Sequence, residues 1–140
     1  MNDIRVFTDG GSRGNPGQAA IGVYITDGDG NVLKSIGEKI GVATNNVAEY
    51  KAVLKALSWL VENKETIEKY SKISFFLDSQ LVYSQINGLF KVKSENIREY
   101  VYTAREKQKQ LGIPVEWSHV PREKNTNADR LVNLALDNLL

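Results

Sequence analysis

The chain has no cysteine, one histidine, one methionine and three prolines among its 140 residues. Without cysteine there is neither a disulfide nor a thiolate metal site, which suits a reducing cytosol. The single histidine, His119, excludes a metal centre built on several imidazoles and a nuclease site built on paired ones. No apolar stretch is long enough to cross a bilayer, and the start of the chain lacks the basic, extended apolar character of a secretory leader. A cytoplasmic protein with no membrane partner is therefore expected. Repeats, low-complexity tracts and long linkers are also missing, so one domain over residues 1–140 is expected. The formal net charge is only +1, whereas nucleic-acid binders are often strongly basic. Taken alone, that balance describes an average soluble surface.

What is present reads first as strands. Ile4–Asp9 alternates apolar and polar residues, and a Gly/Pro-rich loop is expected from Gly10 to Gly17. A second strand is expected over about Ala20–Thr26 and a third over about Val32–Ile40, joined by the turn chemistry of Asp27-Gly28-Asp29-Gly30. Thr44 and Asn45 offer caps for a helix whose apolar positions Val53, Ala56, Leu57 and Leu60 recur at helical spacing. The short apolar run Ile73–Leu77 predicts a buried strand ending at Asp78. Helices are expected over Leu81–Ile86 and from Ser94 to about Gln110, a strand over Val115–His119, and a last amphipathic helix from Asn125 to Leu140. Three strands followed by alternating helices and strands imply a mixed sheet with helices packed on its faces.

Four acids stand in unusual places. Asp9 and Asp78 each end a mostly apolar strand, where aspartate is a poor fit. Glu49 shares a helical face with Val53, Ala56 and Leu60, and Asp129 with Val132 and Leu136. Each has an ordinary reading alone: an Asx turn for Asp9, a capping role for Glu49, simple exposure for Asp129. Together, two acids at strand ends and two on core-facing helix sides can converge on one rim. Such a cluster repels itself unless hard cations occupy it, and an all-oxygen site suits Mg²⁺ or Mn²⁺. Two such ions side by side can serve an in-line displacement at phosphorus, which points to nucleic acid. With four acids neutralised in this way, the rest of the chain would be clearly basic.

The segments Thr8-Asp-Gly-Gly-Ser-Arg-Gly-Asn-Pro-Gly17, Thr44-Asn-Asn-Val-Ala-Glu49, Leu77-Asp-Ser-Gln80 and His119-Val-Pro-Arg-Glu-Lys-Asn-Thr-Asn-Ala-Asp129 resemble, in order, the four signature blocks of the type 1 ribonuclease H family. The resemblance covers essentially the whole chain. It implies an α/β fold with a five-stranded mixed sheet, strands 1–3 antiparallel and helices on both faces. It also implies an endonuclease that cuts the RNA strand of RNA/DNA hybrids with two Mg²⁺ ions, or Mn²⁺ in their place, leaving 5′-phosphate and 3′-hydroxyl ends. Asp9, Glu49, Asp78 and Asp129 match the family's metal-binding acids. By that match Asp9 bridges both ions, Glu49 and Asp78 share one, and Asp129 holds the other. His119 matches a loop histidine that aids proton transfer or product departure. Asn15, Asn45 and Gln80 match amides that read the 2′-hydroxyl, Thr44 a phosphate-holding position near a helix start, and Gly10 and Gly11 positions where the backbone approaches RNA. Asn15, in Gly-Asn-Pro-Gly, is also plain turn chemistry. No protein partner is implied, and a monomer is the default for the family.

Other members carry a basic helix and loop, with a tryptophan that packs on the DNA strand. Here the segment from Gly88 to Tyr100 is short, and Leu89 and Phe90 stand where that tryptophan is expected. Lys91, Lys93 and Arg98 add charge there, although a solvated helix face explains them equally well. The short chain also leaves no room for a separate hybrid-binding domain. Asp27, Asp29, Asn31 and Glu38 mimic an EF-hand spacing, but Val32 stands where that loop needs glycine, so a hairpin is expected. Gly10–Gly17 lacks the ending of a P-loop. A catalytically silent binding module of the same fold is the alternative to an active nuclease, and the four intact acids count against it.

Overall fold

The computed structural model describes residues 2–89 and 91–140. Five strands, β1 (Asp3–Gly14), β2 (Gly17–Asp27), β3 (Val32–Ala43), β4 (Lys72–Leu77) and β5 (Val115–His119), form one sheet in the order β3-β2-β1-β4-β5. β1 to β3 are antiparallel, and β4 and β5 run parallel to β1. The helices are α1 (Asn45–Glu62), α2 (Lys64–Ile67), α3 (Gln80–Ile86), α4 (Glu95–Gln110) and α5 (Thr126–Leu136), with a 3₁₀ turn at Arg122–Lys124. Among the described residues, no helix is long and apolar enough to cross a membrane.

Strand alternation divides the apolar residues between two faces. Ile4 and Val6 of β1, Val23 and Ile25 of β2, and Ile73 and Phe75 of β4 pack against Val53, Leu57 and Leu60 of α1 and Val101 and Ala104 of α4. This is the larger core. On the opposite face α5 lies across β2, where Ala20, Val132 and Ala135 form a smaller cluster. The small residues of β2 on that side let α5 sit close to the sheet. Tyr50 is buried and its hydroxyl donates to Gln85 Oε1 at 2.6 Å, tying α1 to α3.

Several boundaries differ from those expected. The Gly-rich segment after Asp9 is not a loop. β1 continues to Gly14, paired with β2 up to Gly14↔Gly17, and only Asn15 and Pro16 turn. Glycine weakens a strand's own preference, but here the ladder to β2 satisfies the backbone and helices cover both faces. β3 likewise extends to Ala43. α2 was not expected; it is a single turn that buries Ile67. The last helix stops at Leu136 rather than Leu140, because Asn138 takes a left-handed conformation (φ 58°) that ends it. The EF-hand spacing is a hairpin, as expected. The Asp27 carboxylate accepts from the N–H groups of Asp29 and Asn31 and from the Asn31 amide, each at 2.9 Å, and Glu38 pairs with Lys55. Leu89 is exposed, and Phe90 lies outside the described residues.

Candidate active site

The sheet register sets out the site. The parallel ladder between β1 and β4 ends at Thr8↔Leu77, and that between β4 and β5 ends at Leu77↔His119. Asp9 and Asp78 are thus the residues that follow the last β1–β4 pair, and His119 closes β5 beside them. In open α/β sheets this carboxyl edge is where ligands gather.

Two glycines let the helices bring in further acids. A Cβ on Gly10 would lie 2.2 Å from the carbonyl carbon of Ala48 in α1, and one on Gly22 would lie 2.2 Å from the carbonyl oxygen of Ala128 in α5. Gly10 follows Asp9, and Gly22 pairs with Asp9 across the ladder. Each glycine therefore admits the residue just before an acid, Glu49 in one case and Asp129 in the other. Gly11 faces Val132 at an ordinary 3.7 Å. The space at Gly10 and Gly11 on these faces is taken by helices, a packing role that the sequence alone did not suggest.

Asp9, Glu49 and Asp78 each present a carboxylate oxygen within 4.8 Å of the others. Asp129 is not within that trio, but its carboxyl acts on Asp9 from the α5 side, both through space and as a hydrogen-bond acceptor. Among the described residues, none of these four acids forms an ion pair with lysine or arginine. Burial and then the neighbouring Asp78 charge push the Asp9 carboxyl up to about 7, against the smaller opposing effect of a hydrogen bond from Glu49. Burial, followed by the charges of Asp9 and Asp78, raises Glu49 well above the usual carboxylate range. The cluster therefore holds protons where it lacks another cation. An all-oxygen donor set with repelling charges and no basic partner fits hard divalent ions.

His119 is exposed, with its ring 6.1 Å from that of Tyr83 and Nε2 3.3 Å from the backbone oxygen of Asp78. It stands at the rim, free to reach a substrate.

The polar residues expected at the groove fall into two groups. Asn15 and Asn45 are exposed neighbours at the α1 start. The Asn45 backbone N–H donates to Asn15 Oδ1 at 3.0 Å, and the Ser12 N–H donates to Asn45 Oδ1 at 2.9 Å. A backbone N–H can only donate, so each amide turns its oxygen inward and leaves Nδ2 to the solvent. In the fold these two amides therefore offer donors to a ligand. Thr44 is the N-cap of α1, its Oγ1 accepting from the Val47 N–H at 3.2 Å. Its hydroxyl proton remains for a ligand. Gln80 opens α3, after the capping Ser79, and is exposed beside Asp78 in sequence.

Sequence reasoning did not single out Ser12, Gly22 or Asn125. Asn125 is buried, and its amide donates to Asp78 Oδ2 at 3.1 Å. It reads as the start of a helix, and only its place in the block that ends at Asp129 could have marked it.

Known proteins share both sequence and fold. The pattern of the family described as reverse transcriptase-like matches residues 7–135. A ribonuclease HI of Halobacterium salinarum is 40% identical over 136 residues, which cover 96% of this chain and 64% of that one. A ribonuclease H of Clostridium botulinum is 31% identical over 153 aligned residues, with 98% and 97% of the two chains covered. The structure of LC11-RNase H1, isolated from compost, superposes with a TM-score of 0.91 at 41% identity, covering 99% of this chain and 98% of that one. A second structure of that protein, in complex with an RNA/DNA hybrid, gives 0.88 at 39% identity and covers 96% and 97%. This chain spans 64% of the length of the Halobacterium relative and 35% of a bifunctional Mycobacterium tuberculosis protein that is 40% identical to it. With a family pattern matched over residues 7–135, relatives at 31–40% identity and the fold shared at TM-scores of 0.88–0.91, the chain belongs to the type 1 ribonuclease H family.

Proposed function

We propose that residues 1–140 form one domain that hydrolyses the RNA strand of RNA/DNA hybrids, acting as a monomer in the cytoplasm. The observation that carries this reading is the cluster of carboxylates where β1 and β4 end, which among the described residues forms no ion pair with lysine or arginine. The hybrid-bound structure of LC11-RNase H1, at 39% identity, supports the choice of substrate.

In this reading Asp9, Glu49, Asp78 and Asp129 would together hold two Mg²⁺ ions, Asp9 with Glu49 and Asp78 for one and with Asp129 for the other; Mn²⁺ would be a natural substitute. Such a pair of ions supplies charge on both sides of an in-line displacement at phosphorus and makes water acidic enough to attack at neutral pH. The protein's own part is positioning. Asn15 and Asn45 donate hydrogen bonds into the groove, where the ribose 2′-oxygen is an acceptor that DNA lacks. Gln80 flanks them from α3. Thr44 and the N-terminus of α1 hold a phosphate, and Gly10, against Ala48 of α1, lets that helix bring Glu49 up to the cluster. His119, at the exposed rim, takes or gives a proton as the products part. The leaving group is the 3′-oxygen, so the fragments end in 5′-phosphate and 3′-hydroxyl.

A labelled RNA/DNA hybrid, an RNA duplex and a DNA duplex, each with and without Mg²⁺, test the proposal on one gel, with mass spectrometry of the fragments. Cleavage of the hybrid's RNA strand that needs Mg²⁺ is expected. A 2′,3′-cyclic phosphate end would overturn the mechanism, and hybrid binding without any cutting would favour a silent module.

A further inference from the structure

Asn125 occupies a junction that the reaction as described does not use. It is 1% exposed and lies between the 3₁₀ turn and α5. Its Nδ2 donates to the Thr8 carbonyl oxygen at 2.8 Å and to Asp78 Oδ2 at 3.1 Å. Its own carbonyl accepts the Asp129 N–H at 3.1 Å. One residue thus touches the backbone just before Asp9, the side chain of Asp78 and the backbone of Asp129.

The orientation of this amide is fixed by chemistry. Both partners of Nδ2 are oxygens that accept, so the flipped amide would set Oδ1 against two acceptors. Oδ1 itself has no partner among the described residues, although it is buried. Buried acceptors are normally satisfied. The side chain is thus held for its two donors and not for its oxygen.

We propose that Asn125 is a positioning residue for the divalent cations, resting on the reading of Asp9, Glu49, Asp78 and Asp129 as metal ligands. By holding Asp78 through Oδ2 it leaves Oδ1 to face the cation. By holding the Thr8 carbonyl it keeps the start of α5, and with it Asp129, at the level of Asp9. A neutral donor suits this place because lysine or arginine would pair with the carboxylate and compete with the metal. Groups that orient a ligand in this way commonly affect metal affinity by about 10- to 100-fold.

The test is Asn125→Ala in the full chain, checked for folding by thermal melting. Mn²⁺ binding to the metal-free protein is measured by calorimetry, and cleavage is followed against Mg²⁺ concentration. Metal affinity should fall about 10- to 100-fold, KM for the hybrid at saturating metal should hold, and activity should return as Mn²⁺ is raised. Unchanged metal affinity would overturn the proposal, as would a higher KM with metal binding intact. If the wild type itself binds no metal, the ligand reading fails before Asn125 is at issue. Should the variant not fold, the side-chain amide resonance of Asn125 in ¹⁵N-labelled wild type decides. It should shift and saturate over the Mg²⁺ range that activates cleavage, and a resonance that stays in place overturns the proposal.

Discussion

Gly10 and Ala48 meet backbone to backbone: a Cβ on the glycine would stand 2.2 Å from the Ala48 carbonyl carbon and 2.5 Å from the Glu49 nitrogen. No side chain fits between β1 and α1 at this level. The contact sets the height of Glu49 over Asp9, and the matching contact of Gly22 with Ala128 sets that of Asp129.

Gly10→Ala and Gly22→Ala should therefore act on both stability and catalysis. Forcing a methyl against backbone costs about 1–3 kcal/mol or more when neither partner can yield, and a ligand displaced by about 1 Å can cost on the order of 10²-fold in rate. Gly30→Ala is a weaker control for activity: its φ is +89° but nothing lies within 4 Å, so it should lose stability and keep its rate per folded molecule. Denaturant melts paired with cleavage rates distinguish the two effects. A Gly10→Ala protein that cuts at wild-type rate would show that the helix contact does not place Glu49.

The second prediction concerns pH and metal. The Asp9 carboxyl rises from an ordinary 3.8 to about 7 in the fold, and Glu49 shifts in the same direction. Between those values the folded chain holds a proton that the unfolded chain has released. Metal-free stability should thus be fully present near pH 4 and decline as pH rises through 7. Carboxylates in ordinary ion pairs would give the opposite slope. Added Mg²⁺ should restore the melting temperature, more at pH 8 than at pH 5, since it must displace protons at the lower pH. Asp9→Asn should melt higher than wild type in EDTA at pH 8, gain little from Mg²⁺ and fail to cut, while still binding hybrid. Calorimetric scans across pH, with EDTA and with Mg²⁺, check each arm.

How far the site was legible depends on the distance over which each signal acts. The meeting of Asp9, Glu49 and Asp78 could be read because strand ends and helical spacing are local patterns, and the fold brings these three together. The Gly10–Gly17 stretch misled, since glycine argues for a loop and only the pairing with β2 makes it a strand. Gly22 and Asn125 stayed unseen because their partners are far off in sequence; Asn125 and Asp78 are 47 residues apart. The polarity of Asn15 and Asn45 was hidden for the same reason. An amide's type is in the sequence, but which end faces out is decided by the N–H of Ser12, 33 residues from Asn45.

His119 offers a third prediction. It is exposed, and its Nε2 lies 3.3 Å from the Asp78 backbone oxygen. His119→Ala should then slow turnover by at most about 10²–10⁴-fold, as expected of a proton-transfer helper, without changing metal affinity or the melting temperature. Weaker Mn²⁺ binding by calorimetry in this variant would make His119 a ligand and not a helper.

The last prediction follows from the turned amides. Asn45→Asp keeps the shape of the side chain and an oxygen to accept the Ser12 N–H, so β1 and α1 should stay joined. Thr44 still caps the helix, and a carboxylate at its first position is favoured by the dipole. The fold should therefore hold or gain slightly in stability. What changes is the face turned outward: Nδ2, a donor, becomes a second oxygen carrying charge. In the proposed groove that oxygen would meet the minor-groove N3 and O2 acceptors that every base pair carries, and it could no longer donate to the 2′-oxygen of ribose. Binding should weaken by a factor of about 10 or more, since an unpaired polar group in a contact costs about 1–3 kcal/mol. The loss should fall on KM, with kcat at saturating hybrid changed less. Asn45→Ala, which removes the donor without adding charge, should lie between the two. KM values for the three proteins on one hybrid, beside their melting temperatures, give the answer. An Asn45→Asp enzyme with wild-type KM would mean that the amide does not donate to the substrate.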